Sequence, residues 1–450
     1  MSRRFAPLAR SGDANRRLSS REHRHWRLAA AAMFFVSGAC ASSTVHPPVE
    51  SEPIPRAVPS TDASVTTLGA LVSGSAASAS ELETEVAVAP NGKDAFAIWR
   101  ITTLGNRYDV GYSVSHDGGA TWGPALRVPA RPDVSVNPAV TVDGAGVFHV
   151  VWLENPPRER RRVMFATYLA ETDVFTVPLE LSDASQPSAV DKPWIASLPD
   201  GALFVAYGSD SGSSLFVARR TDGVTWQKST LAPNGTLRNV VFPCFEGATL
   251  HLAYLVPSGV EVMTSRDSGK TFDAPVRVDA PKEDVAFEPP SCVVSGGALF
   301  VAYGVGGGVG SIDRMALLDG VMVARSSDGG RTFSDHVLAV SPPRARHAML
   351  PRLARTDTGL ALGAYVERGD AAHGWFQVAF SGDGAAWSEP VVVASPVGIE
   401  TARGSFDALG DYVGMSGVGQ HGGVLVSFAD NGATLPAAVS HVRIAQVPAP

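Results

Sequence analysis

The chain has 450 residues, of which 45% are hydrophobic and 18% are charged, and its 45 glycines and 32 prolines exclude coiled coils and regular helical bundles. The apolar fraction is sufficient for a packed core, so we expect a folded body rather than long disordered tracts. Residues 1–39 carry a formal net charge of +6, and the rest of the chain carries −13. The acidic charge of the folded body excludes nucleic acid as a partner, because the phosphates of nucleic acids bind clustered Lys and Arg.

Residues 1–39 are predicted to be an export signal. An Arg-rich stretch precedes the apolar run 28–36, and small residues then lead to Cys40, which is the order of segments in a secretory signal peptide. The residues before Cys40 resemble a bacterial lipobox with Ser37 in place of the usual Leu, so we expect Cys40 to carry a lipid. The protein is then a cell-envelope lipoprotein that meets the membrane only through Cys40. Cleavage and free secretion into the extracellular medium is the alternative.

Residues 40–64 are rich in Ser, Pro and Thr and contain few large apolar residues. Such a segment cannot bury a core, so we predict that it is a tether. Residues 65–450 are predicted to form a single folded domain.

The folded domain repeats one pattern, in which a strand, a Gly-containing turn and a second strand with an aromatic end follow one another. The aromatic ends are Trp99, Trp152, Tyr207, Tyr254, Tyr303, Tyr365 and Phe428. Their mean spacing of about 55 residues is slightly above the length of known propeller repeats. Alternation with a period of two, as in 147–152, is typical of strands with two different faces. We therefore predict an all-β fold, a β-propeller of four-stranded antiparallel blades, with seven blades favoured and six as the alternative.

Three turns share the pattern S-x-D-x-G-x-T followed by an aromatic residue, and we call each of them a box turn. They span 115–122, 265–272 and 326–333. The carboxylate and hydroxyl groups are suited to hold turn amides, Gly to adopt left-handed dihedrals, and the aromatic side chain to fill the gap between sheets. We predict a structural role for the aspartates of these boxes and of two shortened copies, which are Asp117, Asp222, Asp267, Asp328 and Asp383.

The box turns resemble the Asp-boxes of the BNR-repeat or sialidase-like β-propellers, and the resemblance covers roughly residues 81–447. In that family the boxes lie at outer turns, away from the face that binds ligands. The segment 410–415 is similar to the last blade of secreted BNR-repeat proteins that have no assigned reaction. The resemblance therefore implies a bacterial secreted or lipoprotein propeller of the sialidase superfamily.

The predicted ligand face follows from the direction of the strands. Because antiparallel strands reverse at every turn, the loops before each first strand share one face with the loops after each second strand, opposite the box turns. Arg, carboxylate and Tyr side chains converge on this face, around the mouth of the axial channel. The arginines that we expect to bind a ligand there are Arg100, Arg238, Arg346 and Arg403.

The main hypothesis is a propeller that binds a carbohydrate or an envelope protein at the axial face without catalysis. The alternative is an exo-acting glycoside hydrolase, because the resemblance implies the sialidase set of an arginine cluster, a Tyr nucleophile with a Glu partner and an Asp acid/base. Asp109, Glu288 and Tyr412 are the matching residue types. The Arg-Ile-Pro motif of sialidases is absent at 81–84, and those enzymes have six blades, which favours the binding hypothesis.

Other motifs that carry chemistry are absent from the sequence. It contains no phosphate loop, dinucleotide fingerprint, paired His at metal spacing, calcium loop or Gly-x-Ser-x-Gly elbow. We therefore expect no metal and no cofactor. The Arg-rich run 158–162 is predicted to be a solvated loop, with contact to an anionic glycan as the alternative.

Two long-range pairings are also predicted. Residues 65–80 are placed to add a strand to the last unit, whose own final strand is expected at 440–447. Cys244 and Cys292 occupy near-equivalent places in neighbouring units, where their Cα atoms can come within the range of about 4.4–6.8 Å that a disulfide needs. An exported protein is in an oxidising compartment, which favours the bridge, and two buried free cysteines are the alternative.

Overall fold

All residues that the structure describes belong to one unit of the chain, residues 56–450. The structure, a computed structural model, describes residues 64–67, 79–103, 107–186, 190–209, 214–231, 241–257, 259–279, 285, 289–306, 320–340, 348–367, 373–398, 409–418, 423–430 and 440–450. These residues form 29 strands and no helix. No helix in these ranges is therefore long and apolar enough to cross a membrane.

The strands form seven antiparallel sheets, which we call blades 1 to 7 in chain order. Blade 1 contains β2 (Ser80–Val88), β3 (Ala95–Thr103), β4 (Arg107–Ser115) and β5 (Leu126–Arg127). Blade 2 contains β6 (Ser135–Val142), β7 (Phe148–Glu154), β8 (Arg162–Leu169) and two short outer strands, β9 (Val174–Phe175) and β10 (Leu179–Glu180). Blade 3 contains β11 (Val190–Ser197), β12 (Leu203–Ser209), β13 (Leu215–Arg220) and β14 (Trp226–Leu231).

The second half of the ring repeats this order. Blade 4 contains β15 (Val241–Glu246), β16 (Thr249–Val256), β17 (Gly259–Ser265) and β18 (Val276–Arg277). Blade 5 contains β19 (Ser291–Ser295), β20 (Ala298–Val305), β21 (Gly320–Ser326) and β22 (Ser334–Val340). Blade 6 contains β23 (Ala348–Thr356), β24 (Gly359–Glu367), β25 (His373–Ser381) and β26 (Val391–Gly398). Blade 7 contains β27 (Gly414–Val418), β28 (Gly423–Asp430), β29 (His441–Val447) and β1 (Ser64–Thr67).

The blades are arranged as a closed propeller. The first strand of each blade contacts the first strand of the next, and β27 of blade 7 contacts β2 of blade 1. Blade 7 is completed by β1, which pairs antiparallel with β29. The prediction of a seven-bladed, all-β propeller is therefore confirmed, and the six-blade alternative is wrong.

The hydrophobic core lies between the blades. The repeated aromatic residues of the second strands lie inside these strands rather than at their ends, and all are fully buried: Trp99, Trp152, Tyr207, Tyr254, Tyr303, Tyr365 and Phe428. The clusters they join combine residues of neighbouring sheets, for example blades 1 and 2 or blades 3 and 4. The large side chain inside each second strand thus fixes one sheet against its neighbours.

The three full box turns share one set of hydrogen bonds. Asp117 Oδ1 accepts from the Ser115 hydroxyl and from the Thr121 amide, both at 2.8 Å, and Oδ2 accepts from the Thr121 hydroxyl at 2.5 Å. The boxes of Asp267 and Asp328 repeat these bonds at 2.6–3.0 Å. Each of these carboxylates therefore holds its own turn.

Glycine is required where a box turn meets the preceding blade. Gly269 has a φ of +83°, and a Cβ there would lie 2.8 Å from the ring of Phe204 in blade 3. Only a residue without a side chain fits both the left-handed backbone and this close approach. The box turn of blade 4 therefore packs directly against blade 3.

Candidate functional site

Four first strands carry a β-bulge near the end that faces away from the box turns. In each bulge two residues lie opposite one residue of the second strand, and the first of the two has a φ between +51° and +55°. The bulged pairs are Glu83–Thr84, Asn137–Pro138, Lys192–Pro193 and Leu350–Pro351. A left-handed backbone is costly for residues other than Gly, and such strain concentrates next to functional sites. The bulges therefore mark this end of the axial channel as the candidate site.

Charged side chains from separate blades meet across the channel at this end. The Lys192 ammonium contacts the Asp411 carboxylate and lies 3.4 Å from Glu83 Oε1. Arg100 Nη1 lies 2.9 Å from the same Glu83 oxygen. Blade 3, which carries Lys192, has blades 2 and 4 as its neighbours around the ring, whereas Glu83 belongs to blade 1 and Asp411 directly precedes blade 7. These contacts therefore span the axis, and we call the four residues the axial ion cluster.

The axial ion cluster is buried and its charges stabilise one another. The side chain of Glu83 is 0% exposed and that of Lys192 10%. Burial acts to raise the pKa of Glu83, but the charges of Arg100 and Lys192 hold it below its ordinary value. Burial acts to lower the pKa of Lys192, but Asp411 and Glu83 raise it. Both groups therefore remain ionised, and the cluster couples three blades electrostatically.

A second buried pair lies beside this cluster. Arg352 Nη2 donates to both carboxylate oxygens of Glu85, at 2.9 and 2.8 Å, so that blade 6 is joined to blade 1. The guanidinium carbon of Arg352 lies 4.0 Å from the ring centre of Phe242 and 5.0 Å from that of Trp194. The stacking on two rings fixes the plane of the guanidinium.

Arg352 also lines a small cavity with Trp194, Phe242, Asp411 and Tyr412. The cavity has a volume of about 10 Å³, which is room for about one water molecule. Arg352 is 8% exposed, and its Nε and Nη1 have no hydrogen-bond partner among the residues that the structure describes. Arg352 therefore carries two buried donor nitrogens without a described partner next to this cavity.

Tyr412 lies at the cavity but is bonded to the backbone. Its hydroxyl donates to the carbonyl oxygen of Pro138 in blade 2 at 2.8 Å, and its ring packs edge-on against Trp194. Burial raises the pKa of Tyr412 well above its usual value, and the Glu83 and Asp411 carboxylates raise it further. In this geometry the hydroxyl is protonated and holds blade 2, which is a different role from that of a nucleophile.

Asp109 belongs to the side of blade 1 away from the axis. Its carboxylate pairs with Arg127 of the outer strand β5 at 2.7 Å and accepts the Asp133 amide at 3.1 Å. The structure therefore brings Arg100 and Tyr412 to the axial mouth and ties Asp109 to its own blade. Four other predicted residues lie outside the described ranges, and these are Arg238, Glu288, Arg346 and Arg403.

The Arg-rich run of blade 2 is largely paired with carboxylates. Arg160 bonds Glu180 at 2.5 Å, Arg161 lies 3.7 Å from Asp191, and Arg162 lies 2.9 Å from Glu154. Three of the four arginines in 158–162 therefore lie next to a carboxylate. The run therefore has less free positive charge than its sequence implies, which weakens the interpretation as a glycan contact.

Sequence reasoning missed several residues of the site, which are Glu83, Glu85, Trp194, Phe242 and Arg352. A signal for their position was present, because Pro follows the bulged residue at 138, 193 and 351. Pro removes one backbone donor and so fits a place where the ladder is interrupted. This repeated Pro marks the same point in three blades, and Arg352 directly follows the last of them.

No group of three or more His, Cys, Asp or Glu side chains in the described ranges is arranged to hold a metal ion. The carboxylates at the axis are instead matched by Lys192, Arg100 and Arg352. The charges of these described side chains are therefore balanced within the protein.

Comparison with known proteins gives structural neighbours only. No known family and no curated protein matches the chain by sequence. A Hadza microbial sialidase aligns with a TM-score of 0.47 and 17% identity over 64% of this chain and 64% of its own length, which is less than two thirds of that enzyme. A protein of unknown function from Dyadobacter fermentans aligns with a TM-score of 0.47 and 14% identity over 86% of this chain and 99% of its own.

An α-L-arabinofuranosidase from Fusarium graminearum aligns with a TM-score of 0.46 and 15% identity over 71% of this chain and 94% of its own. Similarity at these levels transfers neither an activity nor a substrate. What is established for the chain is its fold, a seven-bladed β-propeller of antiparallel blades.

Proposed function

We propose that the protein is a binding propeller whose axial mouth takes a carbohydrate that carries a carboxylate or a similar acceptor group. The observation that carries the proposal is the buried guanidinium of Arg352, whose Nε and Nη1 are unsatisfied by any described residue. A buried donor without a partner costs about 1–3 kcal/mol, and a ligand oxygen would recover this free energy. Arg352 is therefore the proposed anchor of the ligand.

The surroundings of Arg352 admit a single polar group of a ligand. The cavity beside the guanidinium has a volume of about 10 Å³, so one carboxylate or hydroxyl oxygen fits there and the rest of a sugar has to lie outside it, at the axial mouth. Asp411 lies at the same cavity and could accept a hydrogen bond from a sugar hydroxyl. A ligand that offers both an acceptor oxygen and a hydroxyl group uses both residues.

Hydrolysis of a glycoside is the alternative, with Asp109, Glu288 and Tyr412 in the reacting roles. Two contacts count against it: the Tyr412 hydroxyl donates to a backbone carbonyl, and Asp109 is paired with Arg127. A general acid or base has to reach the reacting atoms, and a Tyr nucleophile needs a base that lowers its pKa. We therefore expect no turnover of a fluorogenic sialoside between about pH 4 and 8.

The proposal is tested by calorimetric titration of the purified propeller with N-acetylneuraminic acid, glucuronic acid and the neutral sugar galactose. We expect at least one of the two acidic sugars to bind more tightly than galactose. Arg352→Lys keeps the positive charge but loses the planar fork, and we expect it to weaken that binding by about tenfold or more.

The matched control is Arg127→Lys, which alters an ion pair of an arginine at the outer edge of blade 1. This variant should bind the acidic sugar like the unchanged protein. Equal binding of all three sugars, or equal loss in both variants, would contradict a site at Arg352. Turnover of the sialoside would replace the binding proposal with the hydrolase.

We also propose that the propeller is exported and anchored through Cys40. The support is the order of basic, apolar and small residues that ends at this cysteine. Mass spectrometry of the protein isolated from bacterial membranes should find a lipid-modified Cys40 at the amino terminus, and Cys40→Ala should release the protein from the membrane fraction. An unmodified amino terminus downstream of Cys40 would favour free secretion.

A further inference from the structure

A groove of about 540 Å³ lies on the flank of the propeller between the outer parts of blades 1 and 2. One wall is the box turn of blade 1, with His116, Asp117 and Trp122, and the other wall carries Tyr168 and Asp173 of blade 2. None of these residues belongs to the axial ion cluster or to the cavity at Arg352. A volume of this size lies within the usual range for sites of small molecules.

The groove results from a difference in length between two equivalent turns. In blade 1 the box turn 116–125 joins β4 to β5, whereas in blade 2 the residues 170–173 join β8 directly to β9. The short turn of blade 2 thus leaves space beside the box of blade 1.

The walls of the groove carry an aromatic ring and side chains that can accept or donate hydrogen bonds. Trp122 is half-buried, packs against the core shared by blades 1 and 7, and donates its Nε1–H to Gly119 O at 3.2 Å, so only the remaining part of its ring lines the groove. The exposed Asp173 accepts the Tyr168 hydroxyl at 2.5 Å on Oδ1 and keeps further acceptor capacity. His116 is held through Nδ1 by Asp94 at 2.8 Å, which leaves its other ring nitrogen for a ligand.

The charge of the lining determines which ligands fit. The groove is lined by the carboxylates of Asp117 and Asp173 and by no Lys or Arg. These exposed carboxylates repel a second anion, and no Lys or Arg lines the groove to offset them, so acidic sugars and phosphates are disfavoured. The groove therefore differs in its chemistry from the axial mouth, where Lys192, Arg100 and Arg352 balance the carboxylates.

We propose that this groove is a second binding site that takes a neutral oligosaccharide. A sugar ring packs on Trp122, and its hydroxyl groups donate to Asp173 and exchange a hydrogen bond with His116. The site is independent of the axial one, so the protein can hold two different glycan segments. A cationic peptide and a second copy of the chain are the other possible occupants, and the experiment below separates them.

The test is a titration of the folded propeller, followed by NMR or calorimetry, with cellobiose, lactose and N,N′-diacetylchitobiose. We expect at least one neutral disaccharide to bind saturably. Asp173→Asn keeps a side chain that tolerates the left-handed backbone at this residue, where φ is +55°. Loss of the charge-assisted bond should weaken binding by about tenfold.

Trp122→Ala should abolish this binding, and Phe272→Ala is its matched control, because Phe272 has the same place in the box turn of blade 4. Since both variants remove a box aromatic, Tm values measured for both separate a loss of folding from a loss of the site. Binding in Phe272→Ala together with its loss in Trp122→Ala supports the proposal.

Any of the following results would overturn it: no saturable binding of any neutral disaccharide at millimolar concentration, binding that is unchanged in both Asp173→Asn and Trp122→Ala, or binding of a Lys-rich peptide in the groove in place of sugar. Self-association that is abolished by Trp122→Ala would assign the groove to a second copy and would also overturn it. Failure of the acidic sugars to bind at the axial mouth affects only the proposed function, because those sugars do not enter this test.

Discussion

Lys192 is the residue on which the contacts across the axis converge. It has a φ of +51°, lies in the bulge of blade 3, and reaches Glu83 of blade 1 and Asp411 before blade 7. A buried ion pair does not by itself add much stability, because desolvation offsets the attraction. Removal of one partner has a larger effect, since the remaining buried charges are then uncompensated.

The first prediction follows from this asymmetry. Lys192→Met leaves Asp411 without its cation and Glu83 with Arg100 alone, and we expect the free energy of unfolding to fall by about 3–5 kcal/mol. The double change Lys192→Met with Asp411→Asn removes one charge of each sign, keeps the Glu83–Arg100 pair, and should recover a large part of the loss. Equilibrium urea denaturation measures both effects.

The control for this prediction is Lys228→Met in the exposed outer strand β14. A surface substitution of this kind should change the free energy of unfolding by no more than about 0.5 kcal/mol. If Lys192→Met had no larger effect than Lys228→Met, the axial ion cluster would not stabilise the fold as a unit.

A second prediction at the scale of residues concerns the two cysteines of the body. The structure joins Cys244 of β15 to Cys292 of β19, with a Cα separation of 5.8 Å, and so links the first strands of blades 4 and 5. A loop closed over 48 residues is worth about 4 kcal/mol by the chain-entropy estimate. We expect Cys244→Ala with Cys292→Ala to lose stability of this order.

Labelling of thiols in denatured, unreduced mature protein measures the bridge directly. No body thiol should react before a reductant is added, and two should react afterwards. Two reactive thiols in the unreduced protein would show that the cysteines are free.

At the scale of elements, the box turns depend on ionised carboxylates. Hydrogen bonds from Thr271 and Ser265 lower the pKa of Asp267 to about 2, although partial desolvation opposes them. The folded pKa lies below the ordinary value of 3.8, so the unfolded chain binds the proton more readily. The stabilisation by Asp267 is therefore complete above about pH 4 and is lost as the pH falls towards about 2.

The third prediction is that Asp267→Asn makes the free energy of unfolding less dependent on pH in this window. Asn keeps an acceptor oxygen but cannot bind the proton, so the variant should be less stable at pH 5 and approach the unchanged protein near about pH 2. Asp200→Asn is the control, because this exposed carboxylate accepts one hydrogen bond, from the Ala202 amide. If Asp200→Asn changed the pH dependence of the free energy of unfolding by as much as Asp267→Asn, the proposed stabilisation by the ionised box carboxylate would be contradicted.

Some of these elements could be predicted from the sequence and others could not. Box turns and buried aromatic residues repeat with the period of the blades. The number of blades, and the ligand face opposite the box turns, could therefore be predicted from local patterns. The left-handed φ of the bulges could not, because Glu83 and Lys192 have no propensity for it, although Pro marks the position of three of the four bulges. The stretch 81–84 lacks the Arg-Ile-Pro motif, but it supplies Glu83 to the axial ion cluster.

For the whole molecule, the candidate site depends on residues that are far apart in the chain. Arg352 and Glu85 are separated by 267 residues, and Tyr412 and Pro138 by 274. Such pairs are brought together only when the ring closes with seven blades. The sequence could therefore indicate the correct face, and the particular partners at the axis required the assembled propeller.

Closure of the ring places the segment before blade 1 in the sheet of the last blade. Strand β1 pairs with β29 in the register Ser64↔Gln446 to Thr67↔Arg443, which matches the expectation that this part of the chain completes the last unit. Without β1, blade 7 loses its outer strand and β29 becomes an open edge. An unpaired edge lowers stability and offers a template for association with other chains.

The last prediction tests this closure with Val65, which lies opposite Ala445. Val65→Pro removes a backbone donor and fixes φ near −65°, so it should weaken β1 pairing, lower the Tm and increase aggregation on heating. Val65→Thr is the control, because it keeps the backbone amide and the branched side chain, and its Tm should stay close to that of the unchanged protein. If both variants melted alike, β1 would contribute little to the closed ring, and blades 1 to 7 would be held by contacts between their first strands alone.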